Sequence, residues 1–116
     1  MSEPKPNVSF DEFLKLDLRI GKVVDVSDHP NADKLYVLQV DLGGERRQLL
    51  AGLRPYCRPE DLQGKSIVVV TNLEPRKLRG LESQGMLLAA TSGEGPDEQV
   101  VILTPDGDVP PGATVS

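Results

Sequence analysis

Aromatic residues are scarce: two Phe, two Tyr and no Trp among 116 residues. The core must therefore be built from Val, Ile and Leu, and a surface that stacks several splayed single-stranded bases on aromatic rings is disfavoured. A single cysteine, Cys57, excludes an internal disulfide and agrees with a reducing compartment. It reads as a small packing residue rather than a nucleophile. No apolar run approaches the ~20 residues that span a bilayer. Residues 1–7 lack both the charged and the apolar parts of a secretion signal, so the expected location is the cytoplasm. His29 is the only histidine, and it stands among turn formers with Asp28 and Asp33. Such residues on a turn-rich loop read as caps and Asx-turns rather than metal ligands, and neither metal nor cofactor is expected.

Basic residues are missing from one third of the chain. All 13 Lys and Arg lie in residues 1–79 against 12 acids, whereas residues 80–116 carry six acids and no Lys or Arg. The overall charge of −5 therefore conceals a basic region, and a binding face for a polyanion remains possible. Two stretches carry it. Arg46, Arg47, Arg54 and Arg58 occupy a window, 46–59, without one acid. Arg76, Lys77 and Arg79 fall within four residues, in a segment with Pro75, Gly80 and Gly85 that reads as a loop between two strand-like runs. Arginine presents a planar fork of donors suited to phosphate oxygens.

Ser9 and Glu12 fit a capping box and predict a short helix over about 10–16. From Leu18 the apolar residues alternate, with Leu18, Ile20, Val24 and Val26 on one face and a bend at Gly21. A second strand is expected over about 34–42, its even-numbered face the drier one, and a third over about 45–51. A helical turn begins near Pro59, a central strand covers 67–71, and further strands cover 83–90 and 100–103. Residues 104–112, with three prolines, are expected to run unpaired. Residues 1–7 read as a tail, leaving one domain over 8–116. Three strands, a short helix and two strands is the order of an OB-fold, the five-stranded Greek-key barrel, in an all-β chain with short helices. An SH3-like barrel or a small sandwich would leave a similar trace.

Ser83 offers the best case for catalysis, and the case fails. In GLESQG, residues 80–85, one residue too many precedes the serine for a nucleophile elbow, and a strand-like run rather than a helix follows. His29, the only imidazole base, lies in another loop.

The string NLEPRKLRGLESQGMLLAA, residues 72–90, resembles the signature of the tRNA-binding domain family, found free-standing in bacteria and appended to methionyl-tRNA synthetases. VSFDEFLKLDLRIGK (8–22), HPNADKLY (29–36), LTPD (103–106) and VPPG (109–112) are similar to other parts of the same family. The resemblance implies an OB-fold with a C-terminal extension that free-standing members use to dimerise, and a non-catalytic module recognising tRNA by shape and backbone. It implies Arg76, Lys77 and Arg79 as phosphate contacts, with Asn72, Ser83 and Met86 shaping the adjoining surface; Lys34 and Arg19 are weaker candidates. Ser83 also has a plainer reading as a strand hydroxyl bonding a neighbour, and Met86 as core packing. The partners implied are tRNA, a second copy of the chain and a methionyl-tRNA synthetase. An export-chaperone branch shares the fold, and the strings HPNADKLY and PRKLRGLESQGM look like the tRNA-binding branch.

Overall fold

A computed structural model describes residues 3–116. Of the expected tail, Met1 and Ser2 lie outside the described residues, and residues 3–9 are exposed and form neither helix nor strand. The capping box is present: Ser9 Oγ accepts from the Glu12 amide at 3.1 Å at the head of helix α1, Phe10–Phe13. This helix is shorter than its sequence predicts. Asn72 takes over the backbone beyond it, donating to the Lys15 carbonyl at 2.6 Å and accepting from the Asp17 amide at 2.8 Å.

Strand β1, Leu18–Asp28, is the spine of the sheet. Its neighbours are β2, Tyr36–Asp41, which continues into β3, Arg46–Ala51, and, across helix α2 (Pro59–Leu62), β4, Ser66–Val70. All these pairings are antiparallel. After β4 the chain forms a hairpin of β5, Arg76–Leu78, and β6, Leu81–Ser83, and returns as β7, Met86–Leu87, to pair with β4. The Gln84 amide donates to the Gln48 carbonyl on β3 at 2.8 Å, nearly closing the five-stranded barrel expected of an OB-fold. Beyond it, β8 (Ala89–Ser92) and β9 (Gln99–Ile102) form a separate two-stranded sheet, so the single strand expected over 83–90 is broken into three pieces. Residues 104–112, expected to run unpaired, contain no strand, but the Gly112 amide donates to the Ile20 carbonyl on β1 at 2.7 Å, and β10, Thr114–Val115, pairs with the start of β1.

Within β1 the apolar face differs from the one the alternation suggests. The register against β2 shifts between Val23 and Asp25, and this bulge leaves Val23 fully buried and Val24 only half-buried. Gly21 faces the interior: a Cβ there would lie 2.5 Å from Val40 Cγ1 and 3.0 Å from Leu42 Cδ2, so glycine permits the strands to approach. The core is aliphatic, with Val23, Leu38, Val40, Leu49, Ile67 and Val69 all wholly buried. On β2 the even face is the drier one, as expected, although Val37 is buried as well.

Candidate nucleic-acid interface

The segment carrying Arg76, Lys77 and Arg79 is a β-hairpin rather than the loop its composition suggests. Leu78 pairs with Leu81 across a two-residue turn, and the two central residues, Arg79 (φ 51°) and Gly80 (φ 91°), both have positive φ. That is the type I′ pattern, whose twist matches that of paired strands. Arg79 is the one non-glycine residue with positive φ among the described residues. A left-handed conformation costs an L-residue about 1–2 kcal/mol, so it persists where surrounding contacts hold it.

Those contacts come from three sides. At the foot, the Thr71 amide and hydroxyl both donate to the Asp17 carbonyl at 2.9 Å, and Asn72 bridges Lys15 and Asp17 as described. The Arg47 guanidinium donates to the Thr71 carbonyl and, at 3.4 Å, to that of Gln84. Along its flank the hairpin hangs from the edge of β3: Gln48 Nε2 donates to the Glu82 carbonyl at 3.0 Å, and the Leu50 amide donates to Ser83 Oγ at 3.0 Å. Near the tip, buried His29 reaches from the β1–β2 loop to the Leu78 carbonyl at 3.0 Å. Its other ring nitrogen, Nδ1, accepts from the Asn31 amide at 3.0 Å. Backbone groups that would otherwise face water are thereby paired, and the arm is held as one piece with the barrel.

Consecutive residues on a strand face opposite sides, so the basic triplet is divided. Arg76, opposite Ser83, faces β3 and lines a cleft with Leu50 and Met86. Lys77, opposite Glu82, lies on the outer face, and Arg79 sits on the turn. All three are exposed, and none is ion-paired among the described residues.

The acid-free window 46–59 fares otherwise. Arg47 pairs with Glu45 at 3.1 Å, Arg54 with Asp28 at 3.5 Å, and Arg58 with Asp61 at 3.4 Å and Glu60 at 3.8 Å. Tertiary neighbours and near neighbours in sequence outside the window neutralise three of the four arginines, and the cluster dissolves. Arg46 is left exposed and unpaired among the described residues, in a cleft with Leu73, Pro75 and Gln84 at the foot of the hairpin. Sequence reasoning did not single it out, and its place in the acid-free window was the available signal. Of the weaker candidates, Arg19 is paired with Asp17 at 3.0 Å, whereas Lys34 is exposed on the loop that His29 ties to the hairpin.

Asn72 and Ser83 act on the hairpin's position. Ser83 is buried, and its hydroxyl donates to the Gly85 carbonyl at 2.9 Å while accepting from Leu50. With both ring nitrogens of His29 also engaged by backbone, neither residue is available to the other as nucleophile and base. Met86 is 49% exposed and belongs to the surface rather than the core.

A family model described as "Putative tRNA binding domain" matches residues 18–114. The chain is 63% identical over 108 residues to the methionine–tRNA ligase of Pyrococcus furiosus, covering 93% of this chain and 14% of that protein. To the methionine–tRNA ligase of Thermotoga maritima it is 53% identical over 109 residues, covering 94% and 17%. The chain thus spans less than one fifth of the length of these curated relatives. Among solved structures, a MetRS-related protein from Pyrococcus horikoshii superposes with a TM-score of 0.86 at 37% identity, covering 97% of this chain and 100% of that one. The chaperone CsaA from Bacillus anthracis superposes with a TM-score of 0.84 at 33% identity, covering 96% and 100%.

Proposed function

Because this chain belongs to the tRNA-binding domain family, we propose that it is a non-catalytic module that grips folded tRNA by shape and phosphate backbone, with little preference among tRNA species. The observation that carries this reading is the braced hairpin: Arg76, Lys77 and Arg79 are exposed, and unpaired among the described residues, on an arm fixed at foot, flank and tip. Because the backbone that carries these cations is already ordered, no loop has to be fixed when they meet phosphates. Double-helical RNA hides its base edges in a deep, narrow groove, so a protein accepting many tRNAs reads backbone and shape. Arg46 and Lys34 extend the basic face at the foot and beside the tip; Asn72 and Ser83 hold the arm, and Met86 shapes the surface beside it.

The protein works in the cytoplasm as a homodimer. Helix α1 buries none of its residues; Phe10 on it is 71% exposed, and Leu14, which caps its C-terminus, is 58% exposed. On the separate β8–β9 sheet and just after it, Val101 and Leu103 are exposed too. Apolar side chains left in water on two elements fit a self-complementary contact, and two copies double the phosphates engaged. A mass near 12.6 kDa by light scattering at tens of micromolar would remove the dimer.

A second reading is favoured by the identity to methionine–tRNA ligases: the domain serves a synthetase body by raising its affinity for tRNA. Filter binding of several unrelated tRNAs across salt tests the main reading. Engagement of roughly three to six phosphates gives log affinity falling against log salt with a slope of about −2 to −5. One tRNA bound far better than the rest would overturn it.

A further inference from the structure

A cleft of about 130 Å3 lies where the inner face of the β5–β6 hairpin meets β3 and β7. Leu50, Leu73 and Met86 supply its apolar lining, Gly85 leaves backbone bare within it, and Glu74 and Arg76 supply its charge. At that volume it falls short of the ~300 Å3 at which sites for drug-sized ligands begin, and it has room for one small flat group.

Two features need an explanation that a solvated hairpin does not provide. Leu73 and Met86 are 42% and 49% exposed, so apolar side chains stand in water within the basic face. Glu74 lies two residues from Arg76, yet it is in no ion pair among the described residues. A lone carboxylate in a phosphate-binding surface opposes the polyanion unless it accepts hydrogen bonds from it.

The geometry points to a subsite for one unstacked nucleobase of the bound RNA, held against Met86 and Leu73, with the Arg76 guanidinium on its face and the Glu74 carboxylate accepting from an amino group on its edge. This inference rests on the tRNA-binding reading. A base has two apolar faces and a rim of donors, which is the complement of this lining. Thioether sulfur and guanidinium planes both make favourable contacts with aromatic rings, and RNA-binding proteins commonly capture bases that loops leave unstacked. Adenine, cytosine and guanine carry the amino group that Glu74 would meet; uracil does not. A base presented at the same place by every tRNA would be captured without discrimination between tRNAs.

The test is a salt series with one folded tRNA against wild type, Met86→Ala, Met86→Leu and Glu74→Ala. A thioether–ring contact is worth enough that Met86→Ala should weaken binding roughly 3- to 10-fold at every salt concentration. The log–log slope should stay at the wild-type value, because no phosphate contact is lost. Met86→Leu, which keeps the volume, should recover most of the affinity. Glu74→Ala decides by sign: an acid that merely repels RNA gives tighter binding when removed, whereas an acceptor gives weaker binding. If Met86→Ala binds within twofold of wild type, or Glu74→Ala binds more tightly, the subsite is wrong while wild-type binding and its slope still stand. Failure of wild type to bind tRNA would instead sink the parent reading.

Discussion

His29 Nε2 donates to the Leu78 carbonyl across 49 positions of sequence, at 3.0 Å, while its Nδ1 accepts from Asn31 two residues away. The second bond sets the tautomer of the first: a nitrogen that accepts an N–H carries no proton, so Nε2 holds it. The only imidazole in the chain thus couples the β1–β2 loop to the last residue of β5, next to the strained Arg79.

Replacing His29 by Leu keeps an apolar side chain in the buried position but leaves the Leu78 carbonyl and the Asn31 amide without these partners. The expected cost is about 1–3 kcal/mol, or roughly 5–15 °C in melting temperature for a domain of this size. tRNA affinity should fall as well, although His29 is buried, because the arm loses its support near the tip. Unchanged melting and binding would mean that the contact supports nothing.

Arg79→Asn separates stability from binding. Asparagine followed by glycine is the favoured pair for a type I′ turn, so the variant should be as stable as wild type or more stable by up to ~1 kcal/mol. It should nevertheless bind tRNA more weakly, with a shallower salt slope. A denaturant titration alongside the binding series checks both, and a gain in stability with full affinity would remove Arg79 from the interface.

Charge reversals should rank by pairing rather than by position in the sequence. Arg79→Glu and Arg46→Glu remove exposed cations with no acidic partner among the described residues, and each should weaken binding about tenfold or more at moderate salt. Arg58 is already occupied by Asp61 and Glu60, so Arg58→Glu should leave tRNA affinity nearly unchanged. A larger effect at Arg58 than at Arg79 would place the binding face elsewhere.

Cys57 should react slowly. Its thiol is half-buried and donates to the Leu53 carbonyl at 3.5 Å, and burial, followed by the nearby Asp61 carboxylate, pushes its pKa up. The reactive form is the thiolate, so alkylation near pH 7 should run well below the rate of a free thiol and accelerate on unfolding in urea. Equal rates for the folded and unfolded chain would contradict that burial.

The all-β class of the fold and the basic string on which the candidate site is built were legible in the sequence, for local reasons. A chain with four aromatics and β-branched runs at strand spacing has one way to build its core, and the capping box at Ser9 and the prolines after residue 103 act on their own neighbourhood. The basic string 76–79 was legible because charge is written residue by residue. What that string became depended on contacts far away in the chain. Arg79-Gly80 lacks the Asn-Gly pair that marks a type I′ turn, and bonds from residues 29, 48 and 50 hold the hairpin around it. The pleat then turned Arg76 and Lys77 to opposite faces. The bulge at Val23 overrode the alternation of β1, since one extra residue exchanges the faces of a strand. Which cations stay free also lay beyond the sequence: Arg54 is paired by Asp28, at the end of β1, which it meets only in the folded barrel, while Arg46 is left without an acidic partner among the described residues, beside the hairpin. Electrostatic pairing acts through distance in space, and distance in space is settled by the fold.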